Sequence, residues 1–117
     1  MKKASLFFAF MFMSLSFAFA QKTISVEPAE VQIKTSAVCG MCKSKIEKDL
    51  SYEKGVISSN LEVKTQIVTV KYNSKKTNPE KIRKAIAKTG YDADAVAASP
   101  KAYEKLDACC KKDKGVH

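Results

Sequence analysis

Cys39-Gly40-Met41-Cys42 places two thiols two residues apart, at the point where a strand-like run (residues 31–35) gives way to a helical one (residues 43–50). When the second thiol of such a pair enters a helix, both sulfurs can point at one ion. The positive helix end and its free backbone N–H groups stabilise thiolates there. The arrangement suits a soft, thiophilic metal and also a redox dithiol. A second pair, Cys109-Cys110, follows after a cysteine-free stretch, residues 43–108. A framework of disulfide staples spreads its cysteines through a fold; two tight pairs look more like a site. Cys109 and Cys110 keep three readings open: completing the site around the same ion, passing metal to or from the CxxC, or forming a disulfide with it. Adjacent cysteines bridge each other only with backbone strain. His117, the one histidine, reads as a solvated chain end.

Cu(I) accepts two or three thiolates, Hg(II) is content with two, and softness selects sulfur for both. Zn(II) wants four ligands, which the two pairs together would supply, so zinc stays open as the poorer fit. Lys43, Lys45 and Lys48 are expected to raise the positive potential near the CxxC and favour thiolate. The enzyme alternative is a thioredoxin-like thiol-disulfide oxidoreductase, which calls for a longer α/β chain, an aromatic before the CxxC and a facing cis-proline. This chain has no tryptophan, carries Val38 before the motif, and has only Pro28, Pro79 and Pro100. A Cys–His nucleophile pair would have to recruit His117. The chain is therefore expected not to be an enzyme. A structural adaptor tied by disulfides fits an oxidising compartment outside the cytoplasm but leaves the placement of the CxxC at a helix start unexplained.

The N-terminus reads as an export signal. Lys2 and Lys3 precede an uncharged stretch rich in Phe, Leu and Met, which ends in Ala18-Phe19-Ala20, an A-x-A-type cleavage site. Cleavage after Ala20 would leave 97 residues and, without Lys2 and Lys3, a net charge of +7 instead of +9. That length supports one small domain. The lysines are scattered and interleaved with acids, the pattern of a solvated surface, with no basic stripe or aromatic array for nucleic acid. A periplasmic or secreted monomer is expected.

The elements that must position the cysteines follow from periodicity. Val31, Ile33 and Thr35 alternate with polar residues as a half-buried strand does, and Cys42, Ile46 and Leu50 share a helix face up to Gly55. Residues 56–63 and 67–72 read as strands, the second β-branched and alternating. Asn78-Pro79 opens a second helix with Ile82, Ala85 and Ile86 inward, and Gly90 ends it. Residues 91–97 alternate and read as a short edge strand. The order βαββαβ predicts an α+β, ferredoxin-like fold: a four-stranded antiparallel sheet with two helices on one face. In that topology Cys39 and Cys42 lie near Gly90 and Tyr91. Ser99-Pro100 starts a further short helix through about Leu106, long enough to carry Cys109 or Cys110 back toward the CxxC.

Residues 31–96 resemble the heavy-metal-associated domain, found in copper chaperones and in metal-binding modules of copper-exporting ATPases. The resemblance rests on the CxxC, the helix around Lys45-Ile46-Glu47-Lys48, Gly55-Val56, and Lys88-Thr89-Gly90-Tyr91. With the export signal added, the chain is similar to the family's exported mercury-binding proteins. The family pattern G-M-T-C-x-x-C stands here as Ser36-Ala37-Val38-Cys39-Gly40-Met41-Cys42, matching at both cysteines and departing at the three residues before them. The resemblance implies Cys39 and Cys42 as metal ligands, Tyr91 beside the metal, and Cu(I) or Hg(II) as cargo. It also implies a metal-transporting membrane protein or another thiol-bearing acceptor as partner. The expected organisation is a signal peptide (1–20), a flexible lead-in (21–29), the metal-binding domain (30–98) and a helical Cys-Cys tail (99–117).

Overall fold

Strands β1 (Ala29–Lys34), β2 (Val56–Glu62) and β3 (Ile67–Tyr72) pair antiparallel in the spatial order β1-β3-β2 in the computed structural model, which describes residues 28–117. The expected signal peptide, and the lead-in up to residue 27, lie outside the described residues; β1 begins at Ala29, inside the stretch assigned to the lead-in. The alternation of β3 sets the register. Val68 and Val70 are buried, with Ile33 and Leu61 paired to Val68 and Val31 and Ser59 paired to Val70, so one sheet face is apolar.

Helices α1 (Gly40–Ser51) and α2 (Pro79–Thr89) bury their apolar stripes in the same core as that face. The start of α2 is fixed by local chemistry: Asn78 Oδ1 accepts the Lys81 N–H at 2.9 Å and proline occupies the first turn. The start of α1 is not. Its N-cap is Cys39, whose side chain makes no capping bond. A cap is worth about 1 kcal/mol, whereas burying Ile46 and Leu50 contributes roughly 1.5–3 kcal/mol each. Packing therefore places this helix, and the Cys39 sulfur is left free.

The fourth strand does not form as a strand. Residues 91–99 fold into a tight loop joined to the end of β1 by a single bridge, Thr35 to Ala93. Alanine and aspartate are poor strand formers, and here the aspartates take backbone N–H groups that a ladder would need. Asp92 Oδ1 accepts the Ala98 N–H and Asp94 Oδ1 the Lys34 N–H, both at 2.9 Å, while Asp94 adopts a left-handed φ of 50°. The chain reverses at Asp94-Ala95 and stays at the pole where β1 and α2 end, with the Ser99 N–H bonded to the Ala87 carbonyl.

Helix α3 (Pro100–Glu104) then packs against the end of α2. Gly90 permits this contact: its φ is 109°, and a Cβ there would lie 3.0 Å from the Ala102 carbonyl carbon and oxygen. The helix is shorter than expected and gives way to 3₁₀ turns at Ala108–Cys110 and Lys112–Lys114. Among the described residues no helix is long and apolar enough to cross a membrane.

The Asp94 carboxylate, 2.9 Å from the Arg83 guanidinium, makes a pH prediction. Burial pushes its carboxyl up, but Arg83 and the Lys34 N–H together hold it below the ordinary value. The stabilisation is present above the unfolded carboxylate pKa of about 3.9 and is lost as pH falls through the lower folded value. Because the side chain is a third exposed, Asp94→Ala should cost only about 1 kcal/mol at neutral pH. The difference in melting temperature between the two proteins should close as the pH is lowered from the unfolded carboxylate pKa of about 3.9 through the lower folded value.

Candidate metal centre

Cys39 and Cys42 stand at opposite ends of the first turn of α1, and their sulfurs are 3.3 Å apart. The tail brings a third. Cys110 Sγ lies 3.8 Å from Cys39 Sγ, and the three sulfurs all fall within 4.8 Å of one another. A metal–thiolate bond of about 2.3 Å, as thiolates make to zinc, separates trigonal sulfurs by about 4.0 Å. Two of the three separations, 3.3 and 3.8 Å, lie just under that spacing and the third is within 4.8 Å, so small shifts let the three sulfurs surround one ion. All four cysteines are free thiols.

The residues before the motif are held by hydrogen bonds. Ala37 is fully buried; its N–H donates to Thr35 Oγ1 and its carbonyl accepts from Gln66 Nε2 at 2.9 Å. Ser36 Oγ accepts the Asp92 N–H at 2.8 Å. The Val38 carbonyl accepts the His117 N–H at 2.7 Å, which straps the end of the tail to the loop. Cys39, Cys42 and Cys110 retain only 6, 0 and 4% exposure. The open loop that a CxxC suggests is therefore a covered site.

Tyr91 is fully buried where the topology placed it. Its hydroxyl meets no partner at full hydrogen-bond geometry among the described residues and faces the thiols of Cys42 and Cys110. Burial pushes the Cys42 thiol up, but the Tyr91 hydroxyl, the Val38 backbone N–H and the neighbouring thiols together bring it below its ordinary value. Cys110 moves the other way, raised first by burial and then by its hydrogen bond to Cys42 and the charge there, so of these two thiols Cys42 ionises first.

The structure corrects the assignment of the lysines. Lys43 turns away from the thiols, with Nζ 2.8 Å from Glu47, 3.0 Å from Asn60 Oδ1 and 2.7 Å from the Leu61 carbonyl. It clamps α1 to β2. Lys45 does stand near the sulfurs, lining a cavity of about 150 Å³ with Met41, Lys105, Leu106, Asp107 and Cys110. Cys109 stays outside the three-sulfur cluster, 3.7 Å from the Met41 thioether. The exposed His117 ring reaches only the Gly115 carbonyl. Sequence reasoning missed Gln66, Ser36 and the His117 amide as supports of the loop; none stands in a pattern that announces that role.

The family model described as heavy-metal-associated domain matches residues 35–92. A copper-exporting P-type ATPase of Staphylococcus epidermidis is 33% identical over 76 residues, which is 65% of this chain and 9% of the ATPase. One from Staphylococcus aureus is 36% identical over 70 residues, again 9% of its length. The chain thus spans under a tenth of these curated relatives. Among solved structures, a copper form of a CopA variant from Bacillus subtilis is 30% identical, with a TM-score of 0.52 over 59% of this chain and 92% of that one. The CopZ metallochaperone is 29% identical, with a TM-score of 0.54 over 56% of this chain and 98% of that one.

Proposed function

Since the chain belongs to the heavy-metal-associated domain family, we propose that it is an exported carrier that captures Cu(I) and passes it on by ligand exchange. One observation carries this reading: the three buried sulfurs of Cys39, Cys42 and Cys110 within 4.8 Å of one another. Two or three thiolates are what Cu(I) takes, and the burial excludes water from an ion that it binds poorly. The relatives named for copper support this cargo over Hg(II), and zinc would need a fourth ligand in the cluster. The signal-like sequence of residues 1–20, with its A-x-A-type ending, supports delivery outside the cytoplasm.

Transfer requires the tail to lift, because Cys110 and the strap from His117 to Val38 cover the CxxC. An acceptor thiolate would then take the place of Cys110 on the ion, and Cys39 or Cys42 would leave in turn. The copper stays Cu(I) throughout, and each departing sulfur takes up the proton that the acceptor thiol gave up. The acceptor is a thiol-bearing domain, on a metal-transporting membrane protein or another carrier.

Anaerobic titration of the reduced chain against a competing chelator, with Cu(I), Hg(II) and Zn(II) in separate runs, tests this. Tight Cu(I) binding with weak zinc binding is expected, followed by transfer to an added dithiol domain without loss of copper to the buffer. Zinc held as firmly as copper, or reversible disulfide cycling with weak affinity for every ion, would overturn it.

A further inference from the structure

Five sulfurs lie in one continuous row. From Cys42 to Cys39 the spacing is 3.3 Å, to Cys110 3.8 Å, to Cys109 3.9 Å, and to the Met41 thioether 3.7 Å. A single Cu(I) takes two or three of them, so the inner cluster leaves Cys109 and Met41 unused. Met41 stands outside the core, and Cys109 packs only at its edge. Met41 is 54% exposed although large and apolar, and Cys109 is partly exposed. Met41 and Cys110 share the wall of the adjoining cavity with Lys45, Lys105 and Asp107, and the Cys109 sulfur lies 3.7 Å from the Met41 thioether.

We propose that Cys109, Met41 and Cys110 form a second Cu(I) station at this mouth, with the Cys110 sulfur shared between the outer ion and the inner one. The proposal rests on the inner site described under Proposed function. The outer spacings of 3.9 and 3.7 Å are close to the separation of about 4.0 Å that trigonal sulfurs adopt around a metal at a bond length of about 2.3 Å. A thioether is neutral and soft, so it adds a ligand for Cu(I) without adding charge. Two Cu(I) ions among four thiolates leave a net negative cluster, and Lys45 and Lys105, against the single carboxylate of Asp107, leave the adjoining cavity wall net positive. Loading is ligation alone: each thiol gives its proton to solvent and no electron moves. The station gives the covered inner site a receiving point, because an ion bound outside already touches Cys110, a ligand of the inner one.

The test is anaerobic titration of the whole reduced chain with Cu(I) supplied as its acetonitrile complex against a chromogenic chelator. Native mass spectrometry counts ions per chain, and X-ray absorption looks for a copper–copper vector. Two ions on a monomeric chain with a short copper–copper distance are expected. Met41→Leu and Cys109→Ser should each weaken the second equivalent by roughly tenfold or more and leave the first in place. A parent that binds one ion only, a second equivalent indifferent to both substitutions, or copper shared between two chains would each overturn the outer station. Loss of the first equivalent as well, in the unsubstituted chain, would mark the failure of the inner site instead.

Discussion

Replacing Cys42 by serine lowers the affinity of the reduced chain for its first Cu(I) by at least about 100-fold. Deleting a mere supporting partner of a metal ligand already costs about 10–100-fold, which sets the lower bound for deleting the ligand. The surroundings favour the thiolate of Cys42, since the donors around it outweigh its burial. A serine hydroxyl is hard and stays protonated, so it neither attracts Cu(I) nor replaces the charge. Cys39 and Cys110 then remain, 3.8 Å apart, as a weaker pair. The fold should survive, because the Tyr91 hydroxyl faces position 42 and can bond the serine oxygen. Far-ultraviolet circular dichroism checks the fold, and chelator competition reads the affinity. An affinity within tenfold of the parent would remove Cys42 from the ligand set.

Much of what holds this site was legible in residue types. The alternation in β3, the Cys42-Ile46-Leu50 stripe and the Asn78-Pro79 cap depend on neighbours a few positions away, and each element formed where its pattern lay. The meeting of Tyr91 with the CxxC followed from topology, although the strand after Tyr91 did not form. That failure has a local cause the pattern conceals. Asp92 and Asp94 alternate as strand residues do, yet their carboxylates cap the backbone of Ala98 and Lys34, and only the fold brings Lys34 within reach. The error also simplified the route of the tail. Because the chain turns back at Asp94-Ala95, α3 and one short 3₁₀ turn suffice to bring Cys110 to Cys39. The helix breaks before Leu106, and it is the 3₁₀ turn at Ala108–Cys110 that buries Cys110 and leaves Cys109 partly exposed. The role of Lys43 was illegible for a similar reason: its partners Asn60 and Leu61 lie on another element.

Tyr91 has two roles at once, and two substitutions separate them. Tyr91→Ala removes a fully buried aromatic from the core that joins α1, α2 and the sheet. Truncations of this size cost about 3–5 kcal/mol, a large share of the roughly 5–15 kcal/mol that holds a domain folded. The melting temperature should fall by more than about 10 °C, and one within a few degrees of the parent would place the ring outside the core. Tyr91→Phe keeps the ring and deletes only the hydroxyl, which has no partner at full geometry among the described residues, so stability should hold or rise slightly. Its effect falls on Cys42 instead. Without that donor the thiol moves up toward the value burial alone would give it. Copper must displace the proton from any thiol not yet ionised, so affinity should fall roughly tenfold for each unit of that rise, at pH values below the thiol's own pKa. The gap between parent and Tyr91→Phe should widen as pH is lowered and close at alkaline pH, where both thiols are ionised. A gap that stays constant with pH would mean that the phenol shapes the pocket without acting on the sulfur.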